Sequence, residues 1–482
     1  MKNNHATAAR ATNYRWTICA LLFFATTINY LDRQVLSLTW PDFIGPEFGW
    51  TNDDYGLITS SFSLLYAICM LFAGRFVDRV DTKRGFLWAI GIWSVGACLH
   101  AFCGIATAGI TTGAWTASFA SARDLIATAG ATGKIVSLSV TLFILCRFVL
   151  ALGEAGNFPA AIKATAEYNP KRDRAFSTSI FNSGATIGAM IAPACVLYIA
   201  DSFGWEASFL LIGLLGFIWM GFWTFLYKKP GENPRVNSAE LAYINSDEPV
   251  AATAATPAPS RKLTFLDCFK YKQTWAFAFG KFMTDGVWWF YLFWMPKYLQ
   301  SVFHLEKTAQ VLPLTVLYTI VMLSLVGGWL PSYFIDKKGM NPYAGRMRSM
   351  LIFAFFPLLA LFAQPLGGYS YWLPVILIGV ACAAHQAWSA NIFSTVGDMF
   401  PKTSIATITG IGGMAGGVGS FIIQMGAGKL FDHAGQTNMT FLGFQGEPAG
   451  YFILFIVCAI AYLIGWAVMK TLVPRYKVIT VD

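Results

Sequence analysis

The stretch from Trp16 to Leu38, WTICALLFFATTINYLDRQVLSL, decides the fold. At 1.5 Å per residue it is long enough to cross a hydrocarbon core about 30 Å thick. Its only charges, the neighbours Asp32 and Arg33, fall in its last third. In lipid every backbone polar group must find a partner within its own segment, so such a run is a helix. Eleven comparable runs follow, near residues 55–77, 86–107, 138–162, 176–200, 206–227, 274–299, 309–335, 348–366, 370–396, 405–428 and 451–472. The composition agrees: of 482 residues 56% are hydrophobic and 12% charged, with a mean hydropathy of +0.54, whereas soluble chains carry about 25% charged residues. The expected fold is an all-α polytopic membrane protein of twelve transmembrane helices.

A net charge of +9 on a soluble chain would point to nucleic acid, but here the basic residues fall in alternate loops. They are Lys2, Arg10 and Arg15 in the N-terminal tail, Arg79, Lys83 and Arg84 after the second span, and Lys171, Arg172 and Arg174 after the fourth. Lys228, Lys229, Arg261 and Lys262 follow the sixth, Lys337, Lys338, Arg346 and Arg348 the eighth, and Lys470, Arg475 and Lys477 the last. The first loop holds Asp42, Glu47, Asp53 and Asp54 with no Lys or Arg. The positive-inside rule then places both termini in the cytoplasm and the chain in the cytoplasmic membrane. From Trp16 onward the chain reads as a full span, not the short apolar core of a cleavable signal. The nine cysteines form no C-x-x-C pair and read as small buried hydrophobes. With no metal-ligand cluster, nucleotide loop or nucleophile–base constellation in view, the expectation is no enzyme, metal or cofactor.

The longest polar stretch, about residues 228–272, separates six spans (1–227) from six (273–482). It opens as a turn and a short amphipathic segment and continues as PVAATAATPAPS, a linker with no means of packing a core. The halves repeat. Gly74-Arg-Phe-Val-Asp78-Arg79, followed by Lys83-Arg84, matches Ser332-Tyr-Phe-Ile-Asp336-Lys-Lys-Gly339 at an offset of 258. Glu167-Tyr-Asn-Pro170 matches Asp398-Met-Phe-Pro401, and Gly188 matches Gly419, both at 231. The difference is an insertion of about 27 residues in the first half, which the Ala-, Thr- and Gly-rich stretch 108–136 fits. Parallel six-span repeats with a site near the midplane are what rocking-half alternating access requires.

Gly74-x-x-x-Asp78-Arg79-x-x-x-Lys83-Arg84 resembles the loop signature of the major facilitator superfamily, repeated more weakly around Asp336. That family usually has a second Gly where this chain has Asp81. The resemblance implies a conformational lock in which Asp78 contacts a neighbouring helix end and the basic residues face the cytoplasmic leaflet. Three further stretches are similar to the anion:cation symporter family: Asn29-Tyr-Leu-Asp-Arg33, Arg147-Phe-Val-Leu-Ala-Leu-Gly153-Glu154-Ala-Gly156, and the linker's Pro-x-x-x-Pro-Arg-x-x-x-x-Glu-x-x-Tyr-Ile. Within it, Asp285-Gly-Val-Trp-Trp-Phe-Tyr-Leu-Phe-Trp-Met-Pro-Lys297 looks most like the hexuronate carriers.

Charges at membrane depth cost at least about 2.5 kcal/mol each and mark function. Asp32 and Arg33 point about 100° apart on their helix. Arg147 and Glu154 share a face two turns apart, too far for a single-turn salt bridge. A guanidinium stays charged when desolvated and grips carboxylate through a planar fork, whereas a buried carboxyl can load and release a proton. Arg33 is therefore expected to bind substrate carboxylate, as the resemblance also implies. Asp32 and Glu154 would carry protons, and Arg147 would tune Glu154. Tyr30, Tyr66, Asn182, His385 (Glu154 at the 231 offset), Gln386 and Trp388 are candidate partners for sugar hydroxyls and ring. Trp288, Trp289 and Tyr291 either stack on a sugar or form an interfacial belt. His385 either titrates or hydrogen-bonds as the neutral ring, and Lys281 and Asp285, four apart, can pair with each other. The expected function is proton-coupled uptake of hexuronates by a chain that works as a monomer. Carriage of an aldonate or aromatic acid, anion exchange without protons, and a transporter-like receptor are the alternatives.

Overall fold

The computed structural model describes residues 11–246, 265–400 and 404–479, so the stretch PVAATAATPAPS lies outside the described residues. Twelve helical spans are present: α1 (Arg15–Thr39), α2 (Asn52–Val80), α3 (Thr82–Ala101), α4 (the broken span Gly133–Tyr168), α5 (Lys171–Phe203) and α6 (Trp205–Leu226) in the first half. The second half holds α7 (Lys272–Phe303), α8 (the irregular span Lys307–Lys337), α9 (Pro342–Gly367), α10 (Trp372–Met399), α11 (Ile405–Gln436) and α12 (Glu447–Leu472). Among the described residues nine helices are long and apolar enough to cross a membrane on hydropathy alone. A tenth appears when α3 is joined to its continuation Cys103–Thr112 across a 48° bend. The two spans that fail this test are α1 and α7. They hold equivalent places in the two halves, and their apolar character is diluted by Asp32 and Arg33 in one and Lys281 and Asp285 in the other.

The neighbour pattern has two-fold symmetry. In the first half α1 packs on α5, α2 on α4, and α3 on both α4 and α6; in the second α7 packs on α11, α8 on α10, and α9 on both α10 and α12. The seam between halves is built the same way, from α2 against α11 and α5 against α8, with α1 touching α7. The matched glycines explain the closest of these approaches. A Cβ on Gly188 would lie 2.5 Å from the Thr27 carbonyl of α1, and one on Gly419 would press still closer on the Phe282 carbonyl of α7.

A positive φ recurs at matched loop positions. Asp81, between α2 and α3, has φ +80° and ψ +151°, a region populated almost entirely by glycine. Its equivalent at the 258 offset is Gly339, with φ +63°. The Asp in place of the family's Gly is thus a residue held in a glycine conformation. The carboxylates matched by the 231 offset play equivalent parts: Glu167, near the end of α4, accepts a hydrogen bond from Thr82 Oγ1 of α3 at 2.6 Å, and Asp398, near the end of α10, pairs with Arg346 of α9 at 2.6 Å.

The insertion is helical rather than a loose loop. Cys103–Thr112 and Phe119–Ala129 form a hairpin before α4, burying Ala108, Ala122 and Ile126. Arg123 reaches Glu206 at the start of α6, at 3.5 Å. The polar linker contributes the short helix Ser238–Ile244, whose buried Glu240 accepts from the backbone N–H groups of Tyr14 and Arg15 at 2.9 and 3.0 Å. That carboxylate satisfies donors at the start of α1, which otherwise have no intrahelical partner.

Candidate substrate and proton site

Arg33 and Glu154 are brought together from α1 and α4. Gly153 has its backbone against α3, where a Cβ would collide with the Trp93 backbone nitrogen, and the α4 helix breaks at Ala155 and Gly156 directly after Glu154. Arg33 Nε donates to Glu154 Oε2 at 2.9 Å, and Nη2 reaches the same oxygen. Both side chains are out of solvent, 2% and 0% exposed. Removing either partner would leave a buried charge uncompensated, which costs about 3–5 kcal/mol.

The guanidinium is also enclosed by rings. Its carbon lies 4.6 Å from the Trp289 centroid, 4.8 Å from Tyr66, 5.0 Å from Tyr30 and 5.8 Å from Phe62. Desolvated cation–π contacts are worth up to about 2 kcal/mol, so the aromatic faces help to hold a charge that the membrane interior opposes. Tyr30, Tyr66 and Phe62 come from the same half as Arg33, and Trp289 comes across the seam from α7.

A second pair of charges lies beside the first. Asp32 feels the charges of Glu154, Arg147 and Arg33, and Arg147 sits over the Phe62 ring at 5.3 Å. Neither Asp32 oxygen, nor Arg147 Nε or Nη1, nor Glu154 Oε1 has a hydrogen-bond partner among the described residues, although all are buried. Two cations and two carboxylates thus share one buried region, with unmet hydrogen-bonding capacity on both kinds. As the seven-residue spacing implied, Arg147 makes no ion pair with Glu154 within 4 Å among the described residues; Arg33 takes that place.

The second half offers aromatic and neutral groups where the first offers charge. The equivalents of Arg33 and Glu154 are Tyr291 and His385. His385 Nδ1 lies 2.8 Å from the Tyr462 hydroxyl, and its ring stacks on Trp288 at 5.5 Å and 7°. Trp288 therefore packs against His385 in the interior of the half and forms neither an interfacial belt nor the ring nearest Arg33. Tyr291 packs on Phe455, and Trp388 meets Tyr462 edge-on. Lys281 and Asp285 pair at 2.7 Å. Asn182 is exposed on α5 and Gln386 half-buried on α10; neither is among the residues gathered around Arg33.

The sequence names Trp288, Trp289 and Tyr291 together as candidate stacking rings and does not rank them. Two adjacent tryptophans on a helix point about 100° apart, and the sequence alone does not say which of them faces the seam. In the conformational motif, Gly74 lies within α2 with open space where a Cβ would stand, and Arg79 and Arg84 are exposed. Lys83 Nζ donates to the Thr224 carbonyl at 2.7 Å. Asp336 is exposed in the π-helical turn Tyr333–Lys337, and the Asp78 side chain, with the lock assigned to it, lies outside the described residues.

Known proteins bear on this site. The chain is 26% identical over 473 residues to a hexuronate transporter of Escherichia coli (strain K12), covering 97% of this chain and 96% of that one. It is 24% identical over 322 residues to a galacturonate transporter of Dickeya chrysanthemi, covering 66% of this chain and 82% of the other. In fold it resembles an inward-facing, unoccupied bacterial homologue of the human lysosomal transporter Spinster, with a TM-score of 0.67 at 17% identity over 95% and 98% of the two chains. A D-xylose–proton symporter gives 0.66 at 14% identity over 97% and 100%. The description of the Major Facilitator Superfamily matches residues 22–424, and with twelve spans in two equivalent halves around a buried charge site the chain belongs to that superfamily of membrane transporters.

Proposed function

We propose that this transporter takes up hexuronates such as glucuronate and galacturonate together with protons, across the cytoplasmic membrane and with both termini in the cytoplasm. The Arg33–Glu154 pair carries the reading. The guanidinium suited to a uronate carboxylate is held by a carboxylate of the protein itself, so substrate and Glu154 compete for one cation. A proton on Glu154 weakens its hold and frees the fork of Arg33 for substrate. Loss of that proton on the other side restores the ion pair and expels the sugar acid. Proton and uronate thereby move together, through a differential affinity between two states.

Asp32 is the second proton carrier and Arg147 its electrostatic partner. Tyr30 and Tyr66 surround the carboxylate end of the substrate, and the similarity to hexuronate and galacturonate transporters supports a cyclic uronate as the preferred cargo. The proton is the only coupling ion, and each monomer holds a complete site. Uptake of labelled glucuronate and galacturonate into proteoliposomes tests this, with pH gradient and membrane potential imposed separately. Uptake driven by an inward proton gradient is expected. Preferred uptake of an aldonate, uptake only in exchange for internal anion, or binding without transport would each overturn the reading.

A further inference from the structure

The hydrogen bonds across the seam gather at the end of the molecule away from the termini, and two of their acceptors are arranged reciprocally. Asp432, near the end of α11, accepts from the backbone N–H groups of Asn52 and Asp53 at 3.0 and 2.7 Å and from Asn52 Nδ2 at 2.9 Å. These N–H groups open α2 of the opposite half. Asp42, after α1, accepts from the backbone N–H of Lys307 at 2.7 Å and from Gln310 Nε2 at 3.2 Å. Lys307 opens the turn that leads into α8, again of the opposite half. Helices α2 and α8 are equivalents in the repeat, so each half ends the equivalent helix of the other with a carboxylate.

We propose that Asp42 and Asp432 form a reciprocal latch that keeps this end of the transport path closed by capping the helix N-termini of the opposite half. The first N–H groups of a helix have no partner within it and carry its positive pole. A carboxylate that supplies the cap from another body is therefore lost whenever the two bodies part. Opening exposes the N–H groups of α2 and α8 and both carboxylates to water, and the latch sets how often this happens. Asn52 is 7% exposed, so its bonds to Asp432 are protected from competing water. Gln300 Nε2 on the Pro41 carbonyl at 3.3 Å and Tyr55 on the Phe293 carbonyl at 2.9 Å seal the same end. The ion pair Lys307–Asp201 at 3.2 Å also crosses the seam but is 51% and 39% exposed, and exposed pairs of this kind add little.

The latch rests on alternating access and not on the identity of the substrate, so its test reads conformation. Nitroxide labels on Ser202→Cys of α5 and Gln436→Cys of α11, in a background without the native cysteines, report the separation of the halves in lipid nanodiscs. The unmodified latch is expected to give mainly the short distance. Asp432→Ala and Asp42→Ala should each raise the long-distance population roughly fivefold relative to the short, the double variant more, and Asp432→Asn less. Asp201→Ala should leave the distribution unchanged. A double Ala variant with the unmodified distribution overturns the latch, as does an Asp201→Ala variant that opens as far as Asp432→Ala.

Discussion

Arg33 and Glu154 stand on different helices, 121 positions apart in the chain, and form an ion pair closed off from solvent. No spacing rule within a helix brings them together; the packing of α1 and α4 does. The pair neutralises two charges inside the buried region between the halves.

Arg33→Lys is expected to weaken uronate binding about tenfold or more, because a compact ammonium cannot supply the planar fork. Lysine can still pair with Glu154, so the protein should reach the membrane in normal amount. Equilibrium binding within about threefold of the unmodified protein would remove Arg33 from the substrate site.

Trp289 and Trp288 are expected to separate in their effects. Trp289→Leu removes the one ring of the second half that lies over Arg33 among the described residues, and should raise the substrate concentration for half-maximal uptake several-fold, beyond any loss of thermal stability from the missing cation–π contact. Trp288→Leu strips the stacked partner from His385 and should instead lower the melting temperature, since loss of a buried large ring costs roughly 3 kcal/mol or more. Equal effects of the two on binding would show that the geometry around Arg33 does not select between them.

Asp81→Gly is expected to stabilise the protein by about 1–2 kcal/mol, the order of the cost of a non-glycine residue in this backbone region. The ion pair that Asp81 makes with Lys229, at 3.6 Å, is exposed and offsets little of this gain. Melting temperatures of the two proteins in the same detergent check it; no increase would mean that the pair matters more than the strain.

Much of the fold was legible because the bilayer allows so few solutions. Apolar length, alternating loop charge and the two offsets suffice for twelve helices in two halves. The spans that hydropathy describes least well are α1 and α7, and α1 brings Asp32 and Arg33 to the charge cluster, whereas α4 brings Arg147 and Glu154 to it and still passes as an apolar span. The charged residues themselves were legible as costly at membrane depth. Their partners were not, since which helix faces which is set by packing that leaves little periodic trace. Asp81 shows the opposite case: the missing family glycine was visible in sequence, and its meaning appeared only with the φ of Asp81 and Gly339.

Folding stability is expected to fall as pH rises from about 5 to 8 through Glu47. Burial pushes this carboxyl up to about 7; the Trp205 indole N–H at 2.7 Å opposes the shift, the charge of Glu206 adds to it, and Arg123 opposes it. A carboxyl that binds its proton more tightly when folded stabilises the fold at low pH. It gives that up as pH climbs from the ordinary carboxylate range through 7, by roughly 2–3 kcal/mol in all. Glu47→Gln should flatten this dependence. Deleting residues 113–132 removes Arg123 and should steepen it, while transport continues, since the second half makes the same crossover without an insertion. A deletion that reaches the membrane in normal amount and transports nothing would give the hairpin a part in transport itself.

Glu154→Gln separates binding from coupling. Glutamine is close in size to a protonated glutamate and cannot release a proton, so the variant stays in the state that frees Arg33. It should bind uronate at least as well as the unmodified protein and should exchange labelled for unlabelled uronate across the membrane. It should fail to concentrate uronate when only a proton gradient drives it, because the return step needs the carboxylate to take Arg33 back. If Asp32 carries a second proton, one monovalent uronate enters with two protons and net positive charge moves inward. Uptake by the unmodified protein should then respond to membrane potential at equal pH on both sides. Normal accumulation by Glu154→Gln would clear Glu154 of proton transfer, and uptake indifferent to potential would reduce the count to one proton and leave Asp32 to hold Arg147 in place.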